Sequence, residues 1–149
     1  MVIRVLLIVF FFVAYVTTEP VAAAGQCTKG SEFEPALCPL KLGRVSKISI
    51  LKNAAKSPVE QDNAVVCDNF LLSQARLRQY WSQAKIIRED DLHHTLDWSP
   101  CYASGEILFS DGSSAEWTVN QFRSGSLLMR NGKKIPLYCP TCKFSPFQW

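Results

Sequence analysis

The chain has 149 residues, 48% of them hydrophobic, with 16 basic and 13 acidic side chains and a net charge of +3. That is the length and composition of one small globular domain. The charge is too mild and too scattered for a nucleic-acid binder, because no segment concentrates Lys and Arg with interleaved aromatics.

Residues 1–24 read as an export signal. Arg4 supplies a short positive start, residues 5–16 (VLLIVFFFVAYV) are an apolar run, and Ala22-Ala23-Ala24 offers an A-x-A cleavage site. The run falls short of the roughly 20 residues a bilayer span needs, so no stable membrane span is expected after cleavage. Cys27 follows Gln26 rather than a small residue, which sets a lipoprotein aside. Residues 25–149 are then a single exported domain holding all six cysteines: Cys27, Cys38, Cys67, Cys101, Cys139 and Cys142. An even count in an exported chain favours disulfides over metal or free thiols.

Residues 25–43 (including CTKGSEFEPALCPLKLG) carry no helical or strand period and read as an irregular arm that Cys27 and Cys38 can staple. Residues 44–51 alternate in part, with Val45, Ile48 and Ile50 β-branched, and predict a strand. AAKSPVEQDNA follows as a polar loop. Residues 68–87 predict the main helix, with Ser73 as N-cap and Leu77, Tyr80, Trp81 and Ala84 at i, i+3, i+4 and i+7. At that spacing Tyr80 and Trp81 read as core rather than as ligand-gripping aromatics. REDDLHH is a charged connection, so residues 44–97 form a strand-plus-helix segment.

Residues 98–142 predict a four-stranded β-meander. In its second strand Ala115, Trp117 and Val119 alternate with Glu116, Thr118 and Asn120, which implies one buried face and one wet face. A three-residue loop, Ser110-Asp111-Gly112, keeps the core face intact by pairing Ile107 with Ala115 and Gly105 with Trp117. Asn131-Gly132 suits a two-residue type I′ turn that pairs Leu128 with Ile135. Pro136 lacks an N–H and marks the last strand as an edge. Residues 143–149 are a tail. In an open meander Cys101 and Cys139 lie three strand spacings apart, about 14 Å, beyond the ~7 Å reach of a disulfide. Cys67 is the first choice of partner for Cys101. The fold class expected is α+β: one main helix packed on a curved, disulfide-stapled antiparallel meander of four to five strands.

Two groups carry chemical potential. Cys139-Pro140-Thr141-Cys142 has the CxxC spacing of thiol–disulfide enzymes, but it follows a strand and opens no helix, where a dipole would favour the thiolate. The pair reads first as a structural clip and alternatively as a redox site. His93-His94 with Asp90, Asp91 and Asp97 is the one cluster with acid–base potential, and it reads first as a solvated connection. Dispersed cysteines without a second CxxC do not suit zinc. No metal and no cofactor is expected, and the familiar hydrolase and nucleotide motifs are absent from the sequence.

The stretches CDNFLLSQARLRQYWSQA, HHTLDWSPCYASGEILFSDGSSAEWTV and LYCPTC, spread over residues 67–142, resemble a recurring pattern among small exported bacterial proteins of uncharacterised function. The resemblance implies a bacterial, periplasmic or secreted setting and carries no functional residue across. The function expected is a non-enzymatic module that binds another protein, such as an inhibitor or immunity-type partner of an envelope-acting protein. The alternatives are a thiol–disulfide protein using Cys139 and Cys142, and a small-ligand carrier with its pocket between helix and sheet.

Overall fold

The computed structural model describes residues 25–148; the export signal expected over residues 1–24 lies outside them. Seven antiparallel strands form one sheet: β1 (Cys38–Pro39), β2 (Val45–Lys56), β3 (Lys85–Ile86), β4 (Cys101–Phe109), β5 (Ser114–Asn120), β6 (Ser124–Met129) and β7 (Lys134–Tyr138). Their spatial order is β1-β3-β7-β6-β5-β4-β2. The helices α1 (Gln74–Gln83) and α2 (Glu89–His94) hold ten and six residues.

This corrects the expected fold class. The protein is mostly a seven-stranded antiparallel sheet with two short helices, not one main helix on a meander of four to five strands. The expected helix over residues 68–87 shrinks to α1, because Ala84 leaves helical geometry and Lys85–Ile86 pair with Tyr138 and Leu137. Ser73 does cap it, its Oγ accepting from the Arg76 N–H at 3.2 Å, and Leu77, Tyr80, Trp81 and Ala84 are all buried. Strand β2 runs five residues beyond the expected 44–51 segment. The expected arm contributes β1, which Cys27–Cys38 ties down. Two-residue strands such as β1 and β3 are too short to show a period, so only a neighbouring strand defines them.

The expected edge position of β7 is also corrected: it lies between β6 and β3. Pro136 has no N–H to give, but its carbonyl accepts from Ile87 N–H at 3.1 Å, so the outer ladder needs no donor from it. The β6–β7 connection differs by one residue from expectation. Met129 N–H donates to Lys133 O, the loop is Arg130-Asn131-Gly132, and Leu127 rather than Leu128 faces Ile135. The one-residue shift buries Leu127 and leaves Leu128 exposed. The β4–β5 loop follows the expected register, with Ile107 opposite Ala115 and Gly105 opposite Trp117. A Cβ on Gly105 would lie 1.9 Å from the Ser49 carbonyl and 2.9 Å from the Trp117 ring, so close packing of β2 and β5 around this position requires glycine.

Helix α1 lies on one face of the sheet. Between them pack Trp117, Tyr80, Phe70, Leu77, Ile107 and Leu127. The tail joins this core: Phe147 is buried, stacked on Tyr80 at 5.5 Å and edge-on to Phe70 at 5.8 Å. Burial pushes the Tyr80 phenol's pKa up, with Tyr138 adding to the rise, and its hydroxyl donates to Arg123 O at 3.2 Å. The space between helix and sheet is thus filled by side chains.

Candidate functional site

All six cysteines are paired. Cys27–Cys38, Cys67–Cys101 and Cys139–Cys142 are bridged, and no free cysteine occurs among the described residues. Strand geometry excluded Cys139 as the partner of Cys101, and Cys67, the first choice among the rest, is the one bridged to it. Cys139 and Cys142 close on each other within a turn in which Cys142 N–H donates to Cys139 O, and both are fully buried. Neither residue opens a helix, and neither meets solvent where a partner thiol could attack.

The acid–base group is dispersed by α2. His93 and His94 are exposed, and His93 Nε2 lies 3.4 Å from Glu89. Asp91 turns inward and takes a two-pronged bond from Arg88, at 3.0 and 2.8 Å. Asp90 and Asp97 are exposed. No three of His, Cys, Asp and Glu are placed to hold a metal ion among the described residues.

Two open clefts stand out among the described residues. A groove of about 580 Å³ lies on the uncovered sheet face, where Glu106 sits directly opposite Glu116 beside the exposed Leu108 and Leu128. A cleft of about 530 Å³ separates the N-terminal arm from the β5–β6 turn, lined by Phe33, Asp97, Phe122, Arg123 and Tyr138. Arg123 has φ 68°, and its guanidinium donates to Pro140 O at 2.9 Å over the Tyr138 ring.

The most distinctive surface is the connection from β2 to α1, residues 57–73. At 17 residues it exceeds the length at which loops without regular structure become uncommon, and such loops are usually functional or disordered. This one is held at several points. Ser57 N–H donates to Pro100 O at 2.7 Å, Cys67 is bridged to Cys101, and the Asn53 amide exchanges two hydrogen bonds with the Leu72 backbone at 2.8 and 2.9 Å. Cys67, Phe70 and Leu72 point into the core, while Val59, Val66 and Leu71 stay 73%, 66% and 61% exposed. Trp98, two residues before the Pro100 anchor, is 58% exposed. Apolar side chains thus stand in solvent on a rigid frame at one end of the sheet.

No family model, curated protein or solved structure matches this chain. The sequence resemblance to small exported bacterial proteins therefore gains no independent support, and the candidate site stands on its own chemistry. The sequence reading divided this segment between a polar loop over residues 54–64 and the start of the expected helix at residue 68. The signal available there was the two apolar clusters AVVC and FLL on either side of Asp68-Asn69, which fit neither a helical nor a strand period.

Proposed function

We propose that this is an exported, non-enzymatic module that binds another protein through the 57–73 loop and Trp98. The observation that carries the reading is the exposure of Val59, Val66 and Leu71 on a loop locked by a disulfide and the Asn53 clamp, together with that of Trp98 just before the Pro100 anchor. Tryptophan is prominent among the residues that dominate binding energy. A loop ordered before contact also loses little entropy on binding. Three disulfides favour an oxidising compartment, periplasmic or secreted. No described helix is long and apolar enough to cross a membrane.

Strand addition is the less suitable mode of contact. The open edge of β2 is interrupted by three register shifts and carries Lys47, Lys52 and Lys56, features that discourage pairing with another strand. The opposite edge, β1, has only two residues, one of them Pro39. The thiol–disulfide reading has less to rest on, since both residues of the CxxC are buried. The small-ligand reading moves to the cleft at Arg123, because the space between helix and sheet is filled.

The test is affinity purification from the source organism with three baits: the parent, a Trp98→Ala/Val66→Ser variant, and a Leu128→Ala control on the other face. A partner held by parent and control and released by the double variant is the expected result. A partner held equally by all three, or none held by the parent, refutes the reading. Because both substituted side chains are exposed, the double variant should melt within a degree or two of the parent, about the effect of ordinary surface changes.

A further inference from the structure

We propose that the partner presents a basic rim around an apolar centre, attracted by Glu60, Asp62 and Asp68 on the 57–73 loop; this rests on the protein-binding reading above. The molecule carries a net charge of +3, yet residues 57–73 hold three carboxylates and no Lys or Arg. Each acid lies next to an exposed apolar residue or close to one in sequence: Glu60 follows Val59, and Asp68 follows Val66-Cys67. The first two are held in place by the loop itself. Glu60 Oε1 accepts from Asp62 N–H at 2.7 Å, and Asp62 Oδ1 accepts from Ala64 N–H at 2.8 Å.

None of these acids forms an ion pair among the described residues. The ion pairs among the described residues are Arg88–Asp91, His93–Glu89 and Lys134–Glu89, all away from the loop. The nearest cation along the chain is Lys56, whose Nζ donates to the Asp62 carbonyl at 3.1 Å rather than to a carboxylate.

The acidity of the loop selects the occupant. A second copy would bring two acidic loops together, and like charges juxtaposed at an interface disfavour association. A neutral or acidic partner would strip water from the carboxylates without replacing it. A basic surface instead gains steering over roughly a Debye length, ~8 Å at physiological salt, and pairs with the rim while Val59, Val66 and Trp98 supply the dry centre.

The experiment places photoreactive benzoylphenylalanine at Val66, or separately at Trp98, in the full chain, and irradiates cells of the source organism. The expected result is a cross-link to a contact peptide rich in Lys and Arg. Association of that partner with the purified protein should slow about tenfold between low and moderately high salt. The Glu60→Gln/Asp62→Asn/Asp68→Asn variant should show a similar slowing at low salt with its melting temperature unchanged. A partner whose association ignores both salt and the triple variant overturns the charge proposal and leaves the protein-binding reading standing. A cross-link to a second copy of this chain overturns the choice of occupant. No cross-link from either position overturns both.

Discussion

Asp91 is the one buried charged side chain among the described residues. Its sequence context, between Asp90 and His93, suggests acid–base chemistry, whereas its orientation makes it a brace. Hydrogen bonds from Arg88 hold its carboxyl below the usual carboxylate range, with the Arg88 charge and Thr95 Oγ1 adding to the effect against the opposing cost of burial. A folded value below the unfolded one means the contribution is present above about pH 4 and is lost as pH falls through the lowered value. The exposed Arg88 side chain limits its size through solvent screening. The Asp91→Asn variant should therefore lose less stability than the parent between pH 5 and 2, read from urea midpoints. Parallel acid profiles would contradict this role. Nothing in the string REDDLHH shows which carboxylate turns inward, because that depends on where α2 meets β7.

At the scale of elements, the 57–73 loop shows how a polar-looking connection becomes a defined surface. Its Pro, Asn and Asp content suggests a simple spacer, and residues 57–66 have no period to suggest anything else. The loop's anchors come from other strands: Pro100 before β4, Cys101 on β4 and Asn53 on β2. The Cys67→Ser/Cys101→Ser double variant should lose about 2–5 kcal/mol of stability, measured by chemical denaturation. Its loop should also become the first site cut by limited proteolysis, because release of one anchor leaves exposed apolar residues on mobile chain. A variant that melts like the parent and resists cleavage would show that the Asn53 clamp alone holds the loop. Strand spacing made the exclusion of Cys139 as partner of Cys101 legible and left Cys67 as the first choice, but the Asn53–Leu72 clamp was not legible, since those residues lie 19 positions apart with no motif linking them.

At the scale of the molecule, the core closes only when the C-terminal tail returns to it. The tail's sequence, KFSPFQW, carries no period and reads as a loose end. Phe147 nevertheless fills the space beside Tyr80 and Phe70, with Phe144 edge-on to it at 5.3 Å. The Cys139–Cys142 turn redirects the chain from β7 toward this position, and Gln148 N–H donates to Gln121 O at 3.0 Å. The Phe147→Ala variant should cost about 3–5 kcal/mol, the range for emptying a buried aromatic site. A guanidinium midpoint close to the parent's would mean that the tail is dispensable to the core.

The sequence by itself determined the N-cap and apolar stripe of α1 and the β4–β5 register, and strand spacing excluded a Cys101–Cys139 bridge without choosing Cys67 outright. The cap, the stripe and the register each follow from a period or a turn confined to neighbouring residues. Tertiary structure alone decided the seven-stranded sheet, the interior place of β7, the burial of Phe147 and the orientation of Asp91. Two-residue strands and a tail without period acquire their conformation from the partner that supplies the missing hydrogen bond or fills the remaining volume. That partner lies far along the chain, so no local pattern records it.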